Sequence, residues 1–171
     1  PCQCGCPASA GLTPDCCSQE RGTGRLTVTV QRGQGWRGDH LSPTDAYVKV
    51  VFGGQRARTP TVWNQETPRW GTRFEMGRVV LPPDARLRLE VWDEDNGWDD
   101  DLLGVCEVGL EATTAGDGER AGLCYPGGGR LEFGYRLTCG RALGGSLCHD
   151  YVPQPPEGDG GLYRFSRWPP G

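Results

Sequence analysis

Six acidic side chains fall within nine positions of the stretch VWDEDNGWDDDLLG, residues 91–104, with Trp92 and Trp98 set among them. Carboxylates this close repel one another, and either a cation or bound protons must relieve the strain. Asp93 and Asp95 lie two apart at the end of an alternating segment, which projects them to one side of a strand. Asp99, Asp100 and Asp101 follow the Asn96-Gly97 turn, so the loop folds carboxylates from its two limbs toward each other. A second stretch, GDHLSPTDAYVKV, carries Asp39 and Asp45, the latter at the mouth of the next strand. Two such loops at one end of a sandwich form a cage of hard oxygens. Calcium takes about six to eight oxygens at roughly 2.3–2.6 Å, whereas magnesium keeps more of its water. The competing reading of the same residues is a solvated acidic surface, since charge runs are usually exposed faces.

The segments that must position these loops alternate with period two, the mark of strands. RLTVTVQR puts Leu26, Val28 and Val30 on one face. DAYVKVVFGG, QRARTPTVW, TRFEMGRVVL, ARLRLEVWD, LLGVCEVGL and GRLEFGYRL follow, with a further short strand expected near Cys124. Pro60 assigns the third of these to an edge or a bulge, because it donates no ladder hydrogen bond. No segment carries a helical stripe. The chain therefore reads as all-β, an antiparallel eight-stranded β-sandwich spanning residues 25–151. Residues 1–24 read as the end of a disulfide-rich segment with a linker, and residues 152–171 as a Pro/Gly-rich tail.

Composition narrows the class. The 171 residues include 28 Gly and 14 Pro, which suits a loop-rich β protein. The net charge of −4 provides no basic field for nucleic acid, and no apolar run is long enough to span a bilayer. The opening PCQCGC has the look of a mature fragment or of a cut within a longer chain. Nine cysteines point to an oxidising compartment, so a secreted or vesicle-lumenal setting. The late four can pair as neighbours, Cys106 with Cys124 and Cys139 with Cys148. The first five are odd in number, so one partner is expected elsewhere; a thiolate metal cluster is the rival reading.

Other patterns carry less. GQGWRG fits GxGxxG, but a dinucleotide site needs a helix where Pro43 and a strand follow. Arg37-Gly38-Asp39 matches an adhesion tripeptide, yet an Asp39 that holds calcium is not free for that role. Arg56 and Arg58 read as surface arginines, with contact to anionic headgroups as the alternative. Trp63, Trp70 and Trp92 read as core or edge packing. His40 and His149 have no nucleophile at a recognisable spacing, so no enzyme is expected.

Asp39 and Asp45, then AYVKV, TVWNQETPRW and VWDEDNGWDDDLLG, resemble a C2 domain over roughly residues 25–138. That family holds calcium with Asp-x5-Asp in one loop and Asp-x-Asp-x5-Asp in another. The resemblance implies Asp39, Asp45, Asp93, Asp95 and Asp101 as ligands of two or more Ca²⁺ ions, with Asp100 serving a secondary site. More narrowly, TDAYVKV, GWDDDLLG, the late cysteine pairs and the CxCxC…CC leader resemble the C-terminal region of the perforin family. There the domain follows an EGF-like segment and a pore-forming domain. The implied partners are a phospholipid membrane surface, the upstream pore-forming domain and, in the whole protein, an oligomer on membranes. The implied setting is a cytolytic granule lumen and the extracellular space. The implied membrane-touching positions are Trp98, Trp36, Asn96 and His40, of which only the tryptophans are aromatic. The alternative is a C2-like protein-interaction module in which calcium is structural or absent.

Overall fold

The computed structural model describes residues 20–36, 43–95, 99–113, 118–140 and 143–151. Its strands are β1 (Thr23–Gln34), β2 (Thr44–Phe52), β3 (Gln55–Arg58), β4 (Val62–Gln65), β5 (Arg69–Val80) and β6 (Arg86–Asp93), then β7 (Asp101–Gly109), β8 (Arg120–Cys124), β9 (Arg130–Cys139), β10 (Leu143–Gly144) and β11 (Asp150–Tyr151). One sheet runs β5-β1-β9-β8 and the other β3-β2-β6-β7, with β4 added on β2. All their pairings are antiparallel.

Alternation explains the core. Leu26, Val28 and Val30 of β1 and Leu131, Phe133 and Leu137 of β9 face inward from one sheet. Ala46, Val48 and Val50 of β2 and Leu87, Leu89 and Val91 of β6 meet them from the other. Each buried Leu or Val contributes about 1.5–3 kcal/mol relative to exposure. The expected all-β antiparallel sandwich is thus present.

The segment 55–63, expected as one strand, is interrupted at Pro60 and becomes β3 and β4, both pairing with β2. Thr59 keeps the chain against β2 across the proline. Its N–H donates to the Val48 carbonyl at 2.9 Å, and its hydroxyl accepts from Val48 N–H at 3.0 Å. The β10–β11 ladder, two residues from each strand, had no alternation to announce it. Both late disulfides have the expected pairing. Cys106–Cys124 ties β7 to β8, and so one sheet to the other. Cys139–Cys148 joins the end of β9 to the segment before β11. The five early cysteines and the tail 152–171 lie outside the described residues.

Candidate functional site: an acidic end beside a cationic groove

The strand register sets the acidic end. Ala46, next to Asp45, pairs with Asp93 across β2–β6, and Asp93 pairs with Asp101 across β6–β7. Asp45, Asp93 and Asp101 therefore stand at the adjoining ends of three neighbouring strands. Backbone donors fix two of them. Asp93 Oδ1 accepts from Asp45 N–H at 2.8 Å, and Asp45 Oδ1 accepts from Asn64 N–H at 2.7 Å. The Glu94 N–H donates to the Asp45 carbonyl at 2.8 Å. These bonds lock the loop limbs together at the level of the carboxylates.

Asp100 braces the same loop. Its Oδ1 accepts from Asp95 N–H at 3.0 Å and its Oδ2 from the Tyr47 hydroxyl at 2.6 Å. The Tyr47 hydroxyl, with help from Asp95 N–H, holds the Asp100 carboxyl below its ordinary range. Burial first, and the hydrogen bond to Asp100 second, push the Tyr47 phenol well above its ordinary value. Asp95 and Asp101 are exposed, and Asp45, Asp93 and Asp100 half-buried.

Asp39, His40, Asn96 and Trp98 lie outside the described residues. Among the described residues no three acidic, histidine or cysteine side chains come close enough to hold a metal ion. The donor chemistry nevertheless fits calcium: the side chains at these adjoining strand ends are hard carboxylate oxygens with no nitrogen or sulfur donor among them. Thr44 adds an orphaned atom at the same place, since its buried Oγ1 has no hydrogen-bond partner.

Trp36 corrects an expectation. The resemblance implies a place at the membrane, whereas the residue is 4 % exposed and part of the core. Its indole N–H donates to the Pro126 carbonyl at 2.8 Å, and its ring centroid lies 6.4 Å from that of Trp70. The ring lies against Gly33 and Gly129, where a Cβ on either residue would collide with it. The two glycines make the slot, and the slot draws the tryptophan inward from the end of β1. Trp70 and Trp92 are half-buried, whereas Trp63 on edge strand β4 is 52 % exposed.

Beside the acidic end lies a groove of whose cations the sequence pattern singled out only Arg56 and Arg58. Tyr47 and Lys49 of β2, Arg58 of β3 and Trp92 of β6 line an open groove with Glu94, Asp95, Asp99 and Asp100. Lys49, Arg56, Arg58 and Arg88 line its continuation along the sheet. Lys49 Nζ sits 4.4 Å from the Trp92 ring centroid, and the Arg58 guanidinium carbon 3.5 Å from that of Tyr47. Such stacking holds the cations in place. Arg58 also pairs with Glu94 at 3.2 Å, and Arg88 with Glu90 at 2.6 Å. The signal was present in the parity: Lys49, Arg56, Arg58 and Arg88 all occupy outward positions of neighbouring strands.

Comparison with known proteins agrees with this arrangement. Human perforin-1 is 47 % identical over 154 residues, which cover 90 % of this chain and 27 % of the human protein. Rat perforin-1 is 41 % identical over 158 residues, 92 % of this chain and 28 % of its own length. The chain thus spans about a quarter of the length of these curated relatives and is similar to a perforin C2 region. A solved structure described as that of a C2 domain is 31 % identical, with a TM-score of 0.53, and covers 67 % of this chain and 98 % of that one. The family model for the C2 domain matches residues 24–124. With its aspartates, its two antiparallel sheets and that match, the chain belongs to the C2 domain family.

Proposed function

We propose that the chain is a calcium-dependent phospholipid-binding module that brings a secreted pore-forming protein to its target membrane. The observation that carries this reading is the register aligning Asp45, Asp93 and Asp101 on three adjacent strand ends. With Asp39 and Asp95, and Asp100 in a secondary role, these residues would hold the calcium. Bound there, calcium neutralises the carboxylates and offers open coordination positions to headgroup phosphates.

The chain's own residues do the rest. The hydrogen bonds of Asp45, Asp93 and Asp100 hold the loop limbs in position before any ion arrives. Lys49 and Arg56 supply positive charge next to the site, beside Arg58 and Arg88, which are paired with glutamates. Trp98 would be the interfacial anchor, with Asn96 and His40 at the two positions where a large aromatic ring would insert more deeply. The similarity to perforin-1 supports the setting: a granule lumen before release, the extracellular face of a membrane after it, and an oligomer of the whole protein there. Residues 1–24 would close an upstream EGF-like segment, residues 25–151 form the module, and residues 152–171 the tail. Mild acid in a storage vesicle would hold the module off, because protons compete with calcium for carboxylate oxygens.

The test is co-sedimentation of the 171-residue chain with phosphatidylcholine–phosphatidylserine vesicles, in chelator and in about 1 mM calcium. Binding only with calcium, abolished in Asp93→Ala/Asp95→Ala, is the expected result. Calcium uptake without vesicle binding would instead favour a protein partner, and no calcium response would return the cluster to a solvated surface.

A further inference from the structure

Five large apolar side chains are exposed among the described residues: Trp63, Val80, Leu102, Leu123 and Tyr125. Val80 pairs with Thr23 at the far end of the sandwich, while the other four lie toward the acidic end. Tyr125 is the most exposed of these four, at 67 %. It follows β8 and begins the turn to β9, whose first residue Arg130 pairs with Gln34, the end of β1. Leu102, 48 % exposed, is the second residue of β7 and follows Asp101 directly.

The mounting of Tyr125 is rigid. The preceding residue, Cys124, is bonded to Cys106 of β7. The following residue, Pro126, is buried, and its carbonyl accepts the Trp36 indole N–H. Gly127 rests against Leu103 and Gly104, the residues that follow Leu102. An aromatic ring is thus held out in solvent by a disulfide, a buried proline and a backbone contact, none of which depends on calcium.

We propose that Tyr125 and Leu102 form a second apolar foothold for the module, a fixed edge that enters the phospholipid interface beside the aspartate loops. The inference rests on the membrane-binding reading above and deepens it. A lipid surface is the occupant that matches this end of the molecule. Hard anionic donors for a cation, a groove whose outer stretch carries Lys49, Arg56, Arg58 and Arg88, and an apolar edge lie at this end. An anionic bilayer offers the complement of each: phosphate for the cation, charge for the groove and acyl chain for the edge. Tyrosine suits the headgroup level, with an apolar ring and a hydroxyl that stays wet.

The experiment titrates phosphatidylcholine–phosphatidylserine vesicles at saturating calcium against the wild-type chain, Tyr125→Ser/Leu102→Ser, Tyr125→Trp and Asp93→Ala/Asp95→Ala. Calcium affinity without lipid and the thermal melt are measured for each. The double serine variant is expected to bind vesicles about tenfold more weakly, since part of two apolar side chains no longer leaves water. Its calcium affinity and melt should match wild type, and Tyr125→Trp should bind at least as tightly as wild type. If the serine variant binds like wild type while the aspartate variant does not, this inference fails and the membrane reading stands. If wild type itself ignores vesicles, both fall. Weakened binding that tracks a lowered melt, without recovery in Tyr125→Trp, would assign Tyr125 to packing and overturn the foothold.

Discussion

Where the chain enters β1, Gly22 N–H donates to the Cys148 carbonyl at 2.8 Å and Leu81 N–H to the Gly22 carbonyl at 2.7 Å. His149 Nε2–H donates to the Leu81 carbonyl at 2.5 Å, and Arg21 Nε–H to the His149 carbonyl at 2.5 Å. The Cys139–Cys148 disulfide closes the same region. At the opposite end the corresponding connections run through carboxylates: Asp93 to Asp45 N–H, Asp45 to Asn64 N–H, Asp100 to Tyr47 and Asp95 N–H. One end is clasped mainly by backbone carbonyls and a covalent bond, the other by side chains whose charge a cation can change. Such a division would suit the proposed function, in which the acidic loops respond to calcium while the clasped end stays fixed. Beneath those loops, however, lies a hard floor made by Trp36, Pro126 and the glycines around them.

Removing that floor is the largest change we expect. Trp36→Ala leaves a ring-sized void between Gly33, Gly129 and Trp70 and should cost about 3–5 kcal/mol of stability, read by urea unfolding. Were Trp36 an interfacial anchor, the same substitution would weaken vesicle binding and leave unfolding unchanged. Opening the clasp at the other end comes second. The Cys139–Cys148 bridge spans a sequence separation of 9, and chain entropy alone assigns such a short loop about 2–3 kcal/mol. Cys139→Ser/Cys148→Ser should lower the melt accordingly and leave calcium affinity intact. Loss of calcium affinity in that variant would show that the two ends are coupled and would break the comparison.

What the sequence made legible follows the same division. Alternation in RLTVTVQR and ARLRLEVWD identified β1 and β6 because each strand has one face in the core and one in solvent. The late cysteine pairs were readable from spacing, and the Asp-x5-Asp patterns from resemblance. Trp36 was misread because its burial depends on Gly33 and Gly129, the second of which is 93 residues further along the chain. No local pattern announces a slot assembled from a strand and a turn so far apart in the chain. The cationic groove was hidden for a related reason. Lys49, Arg56 and Arg88 come from three strands, and only the β2–β3 and β2–β6 registers make them neighbours. Tyr125 sat in a turn that the periodicity left unassigned.

The smallest effect we expect concerns acid, and it separates the charged face from the clasp. Burial raises the Glu90 pKa, but hydrogen bonds from Arg88 and Trp92 together outweigh it and leave the carboxyl below its ordinary 4.5. A carboxyl held low in the fold stabilises it fully above the ordinary value, and that contribution fades as pH falls through the depressed one. Glu90→Gln should therefore cost about 1 kcal/mol or less at neutral pH, since Arg88 is partly exposed and the pair is screened. The difference from wild type should persist near pH 5 and shrink as the pH falls below the ordinary 4.5. Unfolding measured along a pH series reads this directly. A difference that grew toward low pH would reverse the sign and mean that Glu90 is stabilised in its protonated form. Loss of the Arg88–Glu90 pair should also appear as faster amide exchange along β6 in strong acid. Near pH 5 the Arg88–Glu90 pair remains charged, so weaker calcium binding there would have to come from protons competing at the aspartates themselves.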